Sequence, residues 1–534
     1  MLSIQFRNVI IILLIINFNV VYSQQLGSDV ALNTTINEES RYRPNFHFTP
    51  LKSWMNDPNG MYFYKGKYHL FFQHYPEGNT WGPMHWGHAV TKDLYNWEHK
   101  PIAIYPDEKG FIFSGSAVVD SENTSGFAKN GEVPIIAMFT YHDADAEKEG
   151  LETFQSQAIA YSLDEGETWV KYKNNPVINN PGIRDFRDPK IQWDNIHHQW
   201  IMVLSAKNKT LFYSSKNLKD WKLVSEFGKE AGAHGGVWEC PDFFPIRVEG
   251  SKETKWVLIQ SLNPGAFNSG SGTQYFVGDF DGKKFTPVAS QKELPENHSY
   301  WLDFGKDNYA GVTWSNTNLP ENKRLFIGWM SNWQYAEKVP TRGWRSSMTI
   351  PRELSLVKKS DNTYRLFSEP AKQIDGISKL IYSKITINKS PGSKMVLANS
   401  TEVEMDKLRL KLQLPVLEKA NYTFNLSNEK GDSLKFGYSF HENRFFIDRS
   451  DSGKIDFSES FAENISFAPR SASDNLIEVE ILLDKTSIEL FYDNGETVMT
   501  EIFFPNSSMS KLDLSSSINH FKIKDFKIYE LQLN

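Results

Sequence analysis

Three carboxylates in this chain stand in segments of one type: Asn56-Asp57-Pro58-Asn59-Gly60, Arg187-Asp188-Pro189-Lys190 and Glu239-Cys240-Pro241-Asp242. The first reads as a turn, with Asp57 at position i, Pro58 presetting φ at i+1 and Gly60 at i+3. Alone it is an ordinary turn. Three such acids gathered in one place could cleave a glycosidic bond. Crowding raises the pKa of one carboxyl, so a protonated group can donate to the leaving oxygen while an ionised partner attacks or stabilises the anomeric carbon. The other use of such a cluster is cation binding, which for calcium would draw on grouped Asp, Asn and backbone oxygens.

Gathering them requires a repeat, and the chain has one. The most apolar short runs are Tyr68 to Gln73, Pro134 to Thr140, Trp200 to Ser205, Trp256 to Ser261 and Leu325 to Met330. Each is too short for a typical helix and rich in β-branched or aromatic residues, so they read as equivalent inner strands of five units. Each follows another strand with a distinctive opening. Besides the three acidic openings these are Phe113-Ser114-Gly115-Ser116 and Leu302-Asp303-Phe304-Gly305. Several units continue to a Ser/Thr-x-Asp/Asn turn ending in Trp, at Thr91 to Trp97, Ser162 to Trp169 and Ser215 to Trp221, with Gly278 to Phe285 a weaker case. Self-similarity of this kind indicates an all-β, five-bladed β-propeller. In a propeller the first strand of every blade lies nearest the axis, so Asp57, Asp188 and Glu239 should face one funnel, with Asp303, one residue off the pattern, as a candidate fourth.

Beyond Pro351-Arg352-Glu353-Leu354 the texture changes. Alternation such as Leu408-Arg409-Leu410-Lys411-Leu412 and Ile477-Glu478-Val479-Glu480-Ile481 buries one face of each strand, and Asn494-Gly495 marks a tight hairpin. The expected organisation is a catalytic propeller over 42–366, a linker over 367–379 and a C-terminal β-sandwich over 380–534. Ahead of these, 1–23 has the form of a secretory signal peptide, with one early Arg7, an apolar run and small residues before a cut after Ser23, and 24–41 reads as a flexible leader. The apolar run is short for a membrane span. The expected location is therefore outside the cytoplasm, secreted or periplasmic, with no stable span in the mature chain.

The motifs Trp54 to Gly60, Phe113 to Ser116, Phe186 to Pro189 and Trp238 to Asp242 resemble the signature motifs of glycoside hydrolase family 32, the family of invertases, exo-inulinases and levanases. The likeness runs from about residue 43 to the C-terminus, and Gly265 to Asp281 is more similar to the exo-fructanase and microbial invertase branch than to the plant one. The resemblance implies a five-bladed propeller followed by a sandwich. It implies Asp57 as nucleophile, Glu239 as acid/base and Asp188 as transition-state stabiliser, with Asn56, Gln73, Trp81, Phe113, Ser114 and Arg187 binding substrate. Trp329 and Trp333 are further candidates for the rim, where a sugar could stack, although a core position suits them equally. No metal or cofactor is expected.

Composition sets the remaining limits. A net charge of -7 gives no basic footprint, so nucleic acid is not an expected partner. The single cysteine, Cys240, excludes an internal disulfide, and beside an acid it reads as a small packing residue. The leading expectation is an exported retaining enzyme that releases terminal β-fructofuranosyl units from sucrose or from fructans such as inulin and levan. The alternatives are a fructosyltransferase that uses the same covalent intermediate, and a non-catalytic glycan-binding propeller.

Overall fold

A computed structural model describes residues 39–389 and 394–533; the expected signal peptide and the leader up to residue 38 lie outside them. Five antiparallel sheets, blades I to V, follow one another along the chain as far as Pro370. Their first strands are Ser53–Tyr64, Phe111–Val119, Phe186–Asp194, Val237–Arg247 and Tyr309–Thr313. Each packs beside the next, and the fifth packs beside the first, so the ring closes. Closure is reinforced where Trp344–Arg345 pairs in parallel with Ser53 and Trp54, and where Phe63 N donates to Ser315 O at 3.0 Å.

The apolar runs fall on the second strands, next to the first strands that line the axis: Lys67–Tyr75, Ile135–His142, Gln199–Ala206, Thr254–Asn263 and Arg324–Met330. A second strand is covered on both faces by neighbouring blades and so carries a nearly continuous apolar run. The innermost strand carries the polar residues of the axis, which breaks its pattern. The Ser/Thr-x-Asp/Asn turns join third strands to fourth strands. Thr91 Oγ1, Ser162 Oγ and Ser215 Oγ accept the N–H of Leu94 (3.1 Å), Gly166 (2.8 Å) and Leu218 (3.0 Å), and the Trp169 and Trp221 indoles donate to the carbonyls of Gly166 and Leu218.

Two expectations about the openings need correction. Trp54 to Gly60 is not a turn. Strand Ser53–Tyr64 runs through it, with register shifts between Met55 and Pro58 and between Asn59 and Tyr62. Pro58 falls at a bulge, where no ladder N–H is required. Gly60 adopts φ +53°, and a Cβ there would lie 2.6 Å from the Trp86 ring. The fifth opening is Tyr309-Ala310-Gly311-Val312 rather than Leu302 to Gly305, because the first strand of blade V begins only at Tyr309.

Blade V ends with Tyr364–Pro370, a short helix spans Ile374–Ile377, and the sandwich begins with Ser378–Lys389. The stretch expected as a linker over 367–379 is thus divided between structured elements. The sandwich has two six-stranded sheets. Leu408, Leu410, Leu412 and Leu414 point into it and are buried, as their alternation requires. Asn494 and Gly495, with φ +57° and +81°, form the tight connection between Ser487–Tyr492 and Thr497–Ile502.

Buried charges join propeller to sandwich. His47 Nδ1 lies 2.7 Å from Asp484 Oδ2 and its Nε2 lies 2.8 Å from Glu489 Oε1. Arg352 binds Glu489 through Nε (3.1 Å) and Asp303 Oδ2 through Nη1 (2.9 Å), and Thr500 donates to both oxygens of Asp303. Asp303 is therefore not a fourth funnel acid: its carboxylate is committed to the contact between the modules.

Burial would lower the His47 pKa, but the hydrogen bonds and charges of Asp484 and Glu489 outweigh it and raise the value to about 9. Because the folded value exceeds the unfolded one, His47 contributes stability that is complete below about pH 6.5 and is lost as pH rises through about 9. We expect the thermal midpoint of the wild type to fall over that window. In His47→Gln it should be lower at neutral pH, by the equivalent of about 3–5 kcal/mol for a broken buried pair, and should depend less on pH there. Equal pH slopes for the two proteins would contradict this role.

Candidate active site

The acids are placed by a bulge repeated around the ring. On every first strand two residues face one residue of the second strand: Asn56 and Asp57 against Gln73, Phe113 and Ser114 against Thr140, Asp188 and Pro189 against Leu204, Cys240 and Pro241 against Gln260, Ala310 and Gly311 against Gly328. A bulge bends its strand and redirects the side chains beside it. The strain is visible in the backbone, with φ of +67° at Asp188, +46° at Cys240 and +53° at Ala310. Proline fits here because the ladder is interrupted and no N–H is lost. Blade II has Gly115 instead, where a Cβ would meet Met138 O at 2.0 Å.

Asp57 is buried at the end of its bulge. Ser114 Oγ donates to its Oδ2 at 2.6 Å and the Cys240 thiol at 3.3 Å, while Asn56 Nδ2 donates to Oδ1 at 3.0 Å. Trp54 Nε1 in turn holds Asn56 Oδ1 at 2.8 Å. Asp188, from blade III, accepts the Cys240 N–H on Oδ2 at 3.0 Å. Glu239, from blade IV, is half-buried. Arg187 Nε and Nη2 donate to its Oε1 at 3.1 and 2.9 Å, the Tyr309 hydroxyl is bonded to Oε2, and Gln260 Nε2 holds its backbone carbonyl at 2.8 Å. Arg187 also binds Asp185 at 2.7 Å.

Burial, reinforced by crowding, raises the pKa of two of the three acids. Burial raises the pKa of Asp57. The donors Ser114, Asn56 and Cys240 pull it back, the charge of Glu239 pushes it up, and the net shift is upward. Asp188 is likewise raised by burial, opposed by Arg187 and reinforced by Glu239 and Asp57. Burial and the three acids push the Cys240 thiol well up. It stays protonated, a donor to Asp57 and not a nucleophile. A phenol can donate to a carboxylate or accept from a carboxylic acid, so the Tyr309–Glu239 contact accommodates both protonation states of Glu239.

The structure brings Asn56, Ser114 and Arg187 into direct contact with the acids. Gln73 is buried, and its Nε2 ties Asn59 Oδ1 (2.7 Å) to Ile112 O (3.0 Å), linking blades I and II. Trp81 is 38% exposed and meets Phe113 edge-on, while Phe113 stacks on His142. Trp333 is half-buried against the Trp54 ring. Trp329 is fully buried between Trp54, Tyr309 and Trp333, so it belongs to the core and offers no stacking face at the rim. Sequence reasoning missed Tyr309 and Gln260. Tyr309-Ala310-Gly311 parallels Glu239-Cys240-Pro241 as a large residue, a small one and a backbone-special one, and that signal could have located the fifth opening.

Residues 47–370 match the model of the Glycosyl hydrolases family 32 N-terminal domain, and residues 377–530 match that of the Glycosyl hydrolases family 32 C terminal. A levanase of Bacillus subtilis (strain 168) is 44% identical over 526 residues, covering 98% of this chain and 75% of the levanase. An extracellular exo-inulinase of Aspergillus awamori is 39% identical over 515 residues, covering 91% and 94%. The crystal structure of exo-inulinase from that organism superposes with a TM-score of 0.83 at 38% identity, covering 93% of this chain and 99% of the other. A fructofuranosidase from Schwanniomyces occidentalis complexed with fructosylnystose gives 0.83 at 33% identity with the same coverage. With both family models matched in order over nearly all the described residues, and with its acids mounted on equivalent bulges of one ring, this chain belongs to glycoside hydrolase family 32 and is a glycosidase.

Proposed function

We propose that the protein is an exported, exo-acting β-fructosidase that releases terminal fructose from sucrose or fructans by double displacement. The observation that carries this reading is the unequal dressing of two carboxylates that influence each other's charge. Asp57 is held by three donors from Ser114, Asn56 and Cys240, which orient it and favour its anion. Glu239 sits half-exposed between Arg187 and Tyr309, where a proton can be exchanged with substrate. The names of the relatives, a levanase and extracellular exo-inulinases, support the substrate class and the location. No helix among the described residues is long and apolar enough to cross a membrane.

In this mechanism an oxygen of Asp57 forms a bond to C2 of the terminal fructosyl unit as the bond from C2 to the leaving oxygen breaks and Glu239 protonates that oxygen. Water then attacks C2, Glu239 takes its proton and Asp57 departs, so the acid and the nucleophile both return to their starting states. Asp188 moves no proton. It binds hydroxyls of the sugar and favours the positive charge that develops on the ring. Trp81 and Trp333 offer faces on which the bound sugar can rest.

Incubation of the purified protein with sucrose, inulin and levan should release fructose from the outset; early oligosaccharides would refute exo action, and oligomer growth at high sucrose would indicate transfer. Glu239→Gln should fold and lose about 100- to 10,000-fold in kcat, and Asp57→Asn should lose at least as much. Near-wild-type fructose release by either would remove the role given to that residue. Because Ser114 lowers the Asp57 pKa, Ser114→Ala should move the acid limb of the kcat/KM profile to higher pH, and an unmoved limb would show that Asp57 does not set it. Cys240→Ser, which keeps a small donor, should retain most activity.

A further inference from the structure

Arg187 and Asp188 are the second and third residues of blade III's first strand, Phe186–Asp194. Asp188 lies in the bulge, where the ladder to the second strand of its own blade is interrupted. Side chains mounted on so short a length of ladder need other support, and blade II supplies it.

The third strand of blade II, Gln155–Ser162, begins Gln155-Ser156-Gln157. Alternate residues of a strand share a face, so both amides reach toward blade III, and both are buried. Gln155 Oε1 accepts the Phe186 N–H at 2.8 Å, and Gln157 Nε2 donates to the Phe186 carbonyl at 2.8 Å. Opposite Gln157 in the register stands Thr140. Its hydroxyl donates to Gln157 Oε1 at 2.7 Å and accepts the Asp188 N–H at 3.0 Å. The three peptide groups from Asp185 to Asp188 are therefore each bonded to blade II. Gln155 Oε1 also comes within 3.5 Å of Arg187 Nη1.

The donors and acceptors fit in one sense. Because Thr140 accepts from Asp188, its proton goes to Gln157 Oε1, which turns that amide's nitrogen toward the Phe186 carbonyl. The Phe186 N–H turns Gln155 the other way, so its Nε2 faces His142 Nδ1 at 3.3 Å. That ring nitrogen accepts, which puts the imidazole proton on Nε2, 3.1 Å from Glu147 Oε2. Burial and the charge of Arg187 lower the His142 pKa to about 4, so the neutral ring that this arrangement needs is the form present near neutral pH. Elsewhere the same two blades contribute apolar side chains to one cluster, among them Met138, Ile159, Ile191 and Met202. Beside the acids, amides take their place, and a hydrogen bond fixes direction as well as distance.

We propose that Gln155 and Gln157 are positioning residues of the reaction: from blade II they hold the backbone of blade III so that Arg187 stays on Glu239 and Asp188 stays at the axis. The proposal rests on the roles given above to Glu239 and Asp188. Gln155→Met and Gln157→Met, which keep the side-chain length and remove the amides, should each lower kcat on sucrose about 10- to 100-fold per folded molecule. A part in blade packing alone would move the thermal midpoint and leave the kcat of the folded protein unchanged. Thr140→Val, of the same shape without the hydroxyl, should show a loss of the same kind, and Thr140→Ser should recover most of it; this pair decides the matter if a Met variant does not fold. A further readout needs no turnover. In protein with labelled arginine, the Arg187 Nε–H signal, identified by its absence in Arg187→Lys, should exchange with water about 10-fold faster in Gln155→Met. Wild-type kcat in the folded variants, no recovery by Thr140→Ser, or unaltered exchange at Arg187 would overturn the proposal. Failure of the wild type to release fructose would count against the assigned reaction, and the exchange measurement would still decide whether Gln155 holds Arg187.

Discussion

The ring of first strands depends on one local irregularity used five times: two residues set against one at the upper end of every inner strand. A regular strand turns alternate side chains to opposite faces of its sheet, and in a blade those faces are packed against the neighbouring blades. The bulge interrupts that alternation where five strands converge. It therefore supplies the axis with side chains that a regular ladder would have sent into the core. Proline in or directly after three of the five bulges, and glycine in or directly after the others, are compatible with the interrupted ladder and with the close approach of the second strand.

Bringing three acids to one axis carries an electrostatic cost, and the surrounding residues offset it selectively. Asp57 receives short neutral donors, which orient it without adding charge. Glu239 receives a guanidinium and a phenol from different blades, so its environment is set by the ring as a whole. Cys240 links the arrangement: its thiol reaches Asp57 and its backbone N–H reaches Asp188, and its left-handed backbone is what allows both. Below them Lys190 pairs with Asp242, which also accepts from Thr313, so these contacts tie the first strands of blades III, IV and V together.

The sandwich contributes no group to the funnel contacts described above, yet it is not a loosely attached module. Arg352, Asp303, Glu489, His47 and Asp484 form a buried network in which each charge has a partner from the other module, and Arg449 repeats the device with Asp307 and Tyr335. Such networks add little net energy over apolar packing, but removing one member strands the others. They give the two modules one specific docking geometry.

The sequence by itself determined the repeat, the all-β class, the change of texture into the sandwich and the three acids, because each depends on local signals: short apolar runs, alternation, and segments with an acid one or two residues before a proline. The same local signals misplaced several features. Asp-Pro-Asn-Gly has the composition of a turn, and only pairing with Lys67–Tyr75 makes it a bulged strand. The apolar runs read as inner strands that each follow another strand, and they are the second strands, since burial between two blades, not nearness to the axis, demands an apolar run. Asp303 and Trp329 were eligible for the funnel by residue type. Their places were decided by partners distant in sequence, Thr500 and Arg352 for the one, and Trp54, Tyr309 and Trp333 for the other. The contact of Tyr309 with Glu239 was likewise decided only when the ring closed. The chain codes for its strands and for the chemistry of each residue, but which residues meet is set by ring closure, which joins positions far apart in sequence.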